Sequence, residues 1–215
     1  VGHIEIDSGS FRMEEMWNNR LYMPDAGAAA LAEAYLDRMM SECNSVGGVV
    51  ECVIDGLPAG VGDPVFEKYD ASLAKAILSI GAVKGFEIGD GFQAAKSVGS
   101  ENNDAFRMDE SGKIKKETNH AGGILGGISD GSRVVLRAAF KPTPSIAQQQ
   151  KTVTRGMEET DIAIKGRHDP IIVPRAVVVV EAMAALTTAD LLLLSMTSRL
   201  DRIQGFFGVH NTEQL

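Results

Sequence analysis

The stretch Lys165-Gly166-Arg167-His168-Asp169-Pro170 sets a guanidinium and a carboxylate two positions apart. In extended backbone alternate side chains share a face, so Arg167 and Asp169 point one way and His168 the other. Such neighbours can form a solvated surface ion pair of little energetic weight. They can also form a site in which Arg167 holds an anion while Asp169, partly desolvated, accepts or relays a proton. Pro170 pins the local backbone, which suits a fixed site. Two further stretches carry complementary groups. Residues 119–129 read Asn-His-Ala-Gly-Gly-Ile-Leu-Gly-Gly-Ile-Ser, with Gly131 close behind. Glycine at that density implies positive φ angles or close backbone approach. Lys141-Pro142-Thr143-Pro144-Ser145 offers an ammonium and two hydroxyls that can bind phosphate oxygens.

Each motif has a plainer reading. The glycine run lacks both the G-x-G-x-x-G spacing and a Walker lysine, so the two standard nucleotide fingerprints are absent. Alone it reads as turns and bulges, and the prolines around Thr143 read as a solvated strand exit. Together the stretches favour a surface for a phosphorylated small molecule. His120 and His168 find no third ligand at metal spacing, and no G-x-S-x-G elbow is present. Cys43 and Cys52 make neither a metal motif nor a disulfide framework, which suits a reduced, cytoplasmic setting.

The 215 residues, 44% hydrophobic and 23% charged, can bury a sizeable core. A net charge of -8 argues against nucleic acid or an anionic membrane as partner. No signal peptide opens the chain. Val1 begins directly in an alternating segment without an initiator Met, which suggests that something N-terminal is absent.

Positioning elements follow from periodicity. A strand is predicted over 1–7, then an irregular stretch that Trp17 anchors against the core. A helix runs from Pro24 to about 41–44, and a strand covers 47–54. A second helix over 65–80 places Phe66, Tyr69, Leu73, Ala76, Ile77 and Ile80 on one face, with Gly81 as its stop. Strands follow at 82–89 and 132–140, and at 151–158 and 161–165 as an antiparallel pair. The polar segment 97–116 reads as an exposed excursion, with a hairpin as one form it can take. The apolar segment 171–194 carries Arg175, Glu181 and Asp190, so it reads as a buried helix within 173–199 rather than a membrane span. Residues 200–215 read as a tail. Runs of strands with long helices between them indicate a single α+β domain with antiparallel sheets.

Five blocks carry a resemblance. They are Gly56-Leu57-Pro58-Ala59-Gly60-Val61-Gly62-Asp63-Pro64-Val65-Phe66, Ala82-Val83-Lys84-Gly85-Phe86-Glu87-Ile88-Gly89, residues 119–129, Lys141-Pro142-Thr143, and Gly166-Arg167-His168-Asp169-Pro170. In this order they resemble the signature blocks of chorismate synthase. The resemblance implies anti 1,4-elimination of phosphate from 5-enolpyruvylshikimate 3-phosphate to chorismate, with reduced FMN and no net redox change. NADPH as the source of flavin reduction stays open. It further implies long helices packed between antiparallel sheets, and a homotetramer. By motif, Gly81, Ala82 and Gly126 would touch the flavin. Lys141, Thr143, Ser145 and Arg167 would line its site, and Asp169 would assist proton traffic near flavin N5. The family's N-terminal part, with two catalytic histidines and several arginines, finds no match here. None of His3, His120, His168 and His210 sits in those motifs, and Gly81 stands where the family usually has a side chain. The chain therefore reads as a C-terminal portion that is inactive alone. A non-catalytic flavin- or phosphometabolite-binding module, or an assembly piece, is the alternative.

Overall fold

The computed structural model describes residues 1–7, 10–112, 114–166 and 168–208. Two compact units interleave along the chain. The first comprises residues 1–50, 80–85 and 138–180, and the second residues 51–79, 86–137 and 181 onward. The class is α+β with antiparallel pairing, as the order of strands and helices predicts.

In the first unit, helix α1 (Ala26–Ser41) starts where Asp25 accepts a hydrogen bond from the Ala28 N–H at 3.0 Å. A carboxylate at this position satisfies one of the donors that a helix start leaves open. Ala28, Ala29, Ala32, Leu36 and Met39 form its buried face. The expected first strand is absent. Residues 1–4 close a turn, with the Ile4 N–H donating to the Val1 carbonyl at 2.9 Å, and the Gly2 N–H bonds the Gly47 carbonyl instead. Trp17 ends a short 3-10 turn, Met13–Trp17, with 76% of its surface exposed, so it is no core anchor in this chain. Strands β8 (Gln150–Val153) and β9 (Glu159–Ile162) pair antiparallel, Lys151 opposite Asp161. They are shorter than predicted because the Thr154 N–H bonds the Glu158 carbonyl and Met157 takes a φ of 63° to close the turn.

A three-stranded sheet has the order β1-β7-β2, with β1 (Gly48–Ile54), β2 (Val83–Ile88) and β7 (Val134–Phe140). Val134, Leu136, Ala138 and Phe140 are buried and alternate along the central strand β7, the period-2 pattern of a strand packed on one face. In the first unit the Lys141 N–H donates to the Ala82 carbonyl at 3.0 Å. In the second the Gly89 N–H donates to the Val135 carbonyl, also at 3.0 Å. β2 and β7 therefore run antiparallel.

In the second unit, helix α2 (Tyr69–Leu78) starts four residues later than predicted. Asp63 and Glu67 exchange two backbone hydrogen bonds of 3.0 Å and hold residues 63–67 as a turn, leaving Phe66 90% exposed rather than on the buried face. Tyr69, Leu73 and Ile77 are fully buried, and the Tyr69 hydroxyl bonds Thr188 Oγ1 at 2.7 Å. The polar excursion contains a short helix α3 (Gly99–Asn102) and a hairpin of β3 (Phe106–Met108) and β4 (Ile114–Lys116). Strands β5 (Ile124–Leu125) and β6 (Ile128–Ser129) form a second, tighter hairpin.

Helix α4 (Val173–Met196) corrects another expectation. Val173, Ala176, Val180, Ala184 and Leu191 are buried along one side, but Val178, Leu186 and Leu193 on the opposite side are each more than 60% exposed. The helix is apolar on nearly all sides and is long and apolar enough to cross a membrane by length and composition, with 17% of its most apolar window buried. Residues after 199, predicted as a tail, open with helix α5 (Leu200–Phe206).

Candidate functional site

The glycine run lies wholly in the second unit. At the tip of the β5–β6 hairpin Gly126 and Gly127 have φ of 61° and 86°, the double left-handed turn that matches strand twist and that side chains resist. A Cβ at Gly126 would meet nothing within 4 Å, so this backbone is open to an approaching ligand. At Gly127 the carbonyl accepts from the Tyr69 N–H at 2.8 Å, satisfying a donor at the start of α2. Ser129 is buried and ties the hairpin to the loop before α2. Its Oγ accepts from the Val61 N–H at 2.9 Å and donates to the Pro58 carbonyl at 2.7 Å.

A buried charge cluster holds both ends of the run. Lys116 Nζ lies 3.1 Å from Asp104 and 2.7 Å from Asp130, and the three side chains are 4%, 3% and 9% exposed. Asp104 also accepts from the His120 N–H at 2.7 Å, the Ala121 N–H at 3.0 Å and Thr118 Oγ1 at 2.7 Å. Burial pushes the Asp104 carboxyl up, but the bonds from Ala121, Thr118, His120 and Lys116 outweigh it and hold the group well below the usual carboxylate range. Burial likewise opposes the Lys116 charge, and Asp130 and Asp104 overcome it, so its pKa is raised. The His120 ring Nδ1 meets Asp90 Oδ2 at 2.7 Å, while the Asp90 N–H donates to the His120 carbonyl at 2.8 Å.

In the first unit the structure brings Ala82 against Lys141 through the 3.0 Å backbone hydrogen bond. Ala82 has a φ of 71°, a left-handed conformation that costs a non-glycine residue energy and concentrates at functional sites. At Gly81 an added Cβ would meet nothing within 4 Å. The Lys141 ammonium touches the Pro142 carbonyl only at 3.5 Å, and no carboxylate pairs with it among the described residues. The Thr143 carbonyl accepts from Ser45 Oγ at 2.6 Å, while Thr143 Oγ1 is buried with no hydrogen-bond partner among the described residues. Buried hydroxyls are ordinarily satisfied, and an orphan invites a ligand. Ser145 is half-buried. These groups fit the phosphorylated end of a cofactor such as FMN: an unpaired cation, a hydroxyl lacking its partner and a backbone held in a left-handed turn.

Asp169 pairs with Arg175, by two hydrogen bonds of 2.8 and 3.2 Å, a bidentate geometry that fixes the carboxylate plane. Sequence spacing pointed to Arg167 instead, which lies outside the described residues, as does His210. Arg175 sits in the first turn of α4, and the Pro170 to Val173 bend returns it to Asp169. A charged residue opening an apolar helix was the one available signal. His168 Nε2 meets the Ile164 carbonyl at 3.0 Å, so that nitrogen carries the proton. An open groove of about 440 Å³ between Glu15, Arg20 and α1 holds none of these residues.

Comparison with known proteins decides the lineage. The family model described as chorismate synthase matches residues 2–193, a span that contains every residue named above as a candidate for binding or catalysis. The chain belongs to the chorismate synthase family. It is 63% identical over 207 residues to a chorismate synthase of Agathobacter rectalis, covering 96% of this chain and 56% of the relative. A chorismate synthase of Archaeoglobus fulgidus is 56% identical over 191 residues, covering 88% and 53%. A crystal structure of chorismate synthase superposes with a TM-score of 0.71 at 30% identity, over 91% of this chain and 52% of that one. The chain thus spans about half the length of the chorismate synthases it matches.

Proposed function

We propose that this chain is the portion of a chorismate synthase that carries much of its flavin-binding surface, and that it turns over no substrate alone. The reaction is the anti 1,4-elimination of phosphate from 5-enolpyruvylshikimate 3-phosphate, catalysed by a carbon–oxygen lyase. A C–O bond breaks as phosphate leaves, a C–H bond breaks at the far end of the allylic system, and a new C=C bond forms. The chemistry that reduced FMN supplies when bound is a transient loan of electron density to the departing phosphate, with no net redox change. Lys141 and Arg167 bind anionic oxygens, Thr143 and Ser145 donate hydroxyl hydrogen bonds, and Gly81, Ala82 and Gly126 present backbone. Asp169, its carboxylate oriented by Arg175, handles the proton at flavin N5. A cytoplasmic homotetramer, with NADPH as a source of flavin reduction, belongs to the same reading.

The observation that carries this reading is the buried, partnerless Thr143 hydroxyl two residues from an unpaired lysine ammonium, in a chain of this family. The outward apolar side of α4 favours a second reading, in which the chain serves only in assembly. One experiment separates them. The chain is joined to the part of the Agathobacter rectalis relative that it does not match, and anaerobic chorismate formation is followed with reduced FMN. The lyase reading predicts turnover, and an Asp169→Asn loss in kcat on the order of 10² or more with flavin affinity changed less than about threefold. Oligomerisation without flavin binding or turnover would leave the assembly reading.

A further inference from the structure

The polar segment 97–116 has no role in the function just described, yet it supplies two of the three members of the buried Asp104–Lys116–Asp130 cluster. We propose that Asp104 and Lys116 are positioning residues that clamp both ends of the glycine run, so that the Gly126 turn is presented in one conformation to the flavin. The proposal rests on the flavin reading of Gly126 for its functional half.

Asp104 takes the N–H groups of His120 and Ala121, which open the run, while Lys116 bridges from Asp104 to Asp130 at its far end. Asp130 in turn accepts from the Ser132 N–H at 2.8 Å and donates its own N–H to the Gly123 carbonyl at 3.0 Å. Inside this frame Gly122 and Gly123 have φ of 65° and 79°, and glycine backbone has the most conformational freedom to lose. Gly126 itself faces open space, since an added Cβ there would meet nothing within 4 Å. Beyond the Gly127–Tyr69 bond and the Ser129 ties, order at the tip draws on the two ends of the run. An ion pair buried to this depth is weak evidence for net stability but well suited to fixing a register, because only one geometry satisfies all its members. The hairpin acts as the clamp's handle: β4 ends on Lys116, and Asp104 precedes β3 by two residues.

The test compares the full chain with Asp104→Asn, Lys116→Met and Lys116→Arg, reading amide hydrogen exchange peptide by peptide and reduced-FMN affinity by titration. The proposal expects exchange across residues 120–127 to rise at least about tenfold in Asp104→Asn and Lys116→Met, with α1 unchanged. Lys116→Arg, which keeps the charge, should restore most of the protection. FMN affinity should fall at least about fivefold where exchange rises. Unchanged exchange at 120–127 overturns the clamp outright. Raised exchange with unchanged FMN affinity overturns its functional half. If the parent chain itself binds no FMN, the flavin reading fails, and the exchange arm still judges the clamp. Should Asp104→Asn fail to fold, Thr118→Val removes one bond into Asp104 and is expected to raise exchange at 120–127 about threefold. No rise there overturns the proposal.

Discussion

The glycine run and the strand exit at 141–145, both assigned to flavin binding by our proposal, are built in opposite ways. Around the run, polar groups are matched inside the protein: Asp104 with four donors, Lys116 with two carboxylates, Ser129 with two backbone partners. At the exit, Thr143 Oγ1 is buried without a partner, the Lys141 ammonium has only a 3.5 Å contact, and Ala82 stays left-handed. The first region contributes shape, a turn whose conformation the rest of the unit dictates. The second contributes unmet hydrogen-bonding capacity, which a ligand can complete. Mutation should tell them apart: changes at the run alter stability together with binding, and changes at the exit alter binding alone.

The largest effect is expected at the run. Lys116→Met leaves two buried carboxylates without their cation and should cost about 3–5 kcal/mol, read as a lower urea midpoint. Acid probes the same cluster. The Asp104 carboxyl is held below its unfolded value, so its contribution is fully present above the unfolded pKa of about 3.9 and drains away as pH falls below it. The urea midpoint should therefore drop between pH 5 and pH 3 (both on the order of the unfolded carboxylate range), and Asp104→Asn should flatten that dependence. A parallel pH profile for the two proteins would remove the clamp from the account.

The exit should answer differently. Thr143→Val replaces an unsatisfied buried hydroxyl by an isosteric methyl, so stability should hold or rise by up to about 1 kcal/mol while FMN affinity falls roughly tenfold. A loss of stability instead would mean that the hydroxyl already has a structural partner. The smallest structural effect belongs to Asp169→Asn. Its partner Arg175 is 73% exposed, so the pair should contribute no more than about 0.5 kcal/mol to thermal stability, well below the change expected in turnover.

Much of this was legible in the sequence, element by element. The strand predicted at 132–140 became β7, the helix predicted from Pro24 became α1, and five ordered blocks pointed to the family. What escaped were features that depend on chain closure. Polarity marked 97–116 as exposed, but Lys116 is buried because its carboxylates at Asp104 and Asp130 come from either side of it in the sequence. Phe66 looked helical by spacing, and a turn closed by Asp63 and Glu67 took it out of the helix. The apolar composition of α4 said that the helix wants burial, but composition carries no information about whether this chain supplies the cover. Arg175 and Thr143 were ordinary residues until the backbone placed one beside Asp169 and buried the hydroxyl of the other without a partner among the described residues.

The most direct test of the central claim is a titration of the chain with reduced FMN under anaerobic conditions, run beside Lys141→Met. The account predicts saturable binding that weakens at least about tenfold in Lys141→Met, as loss of a charge-assisted contact requires, with the thermal midpoint unchanged. Binding that ignores Lys141, or none even when the chain is completed with the relative's remaining sequence, would contradict it.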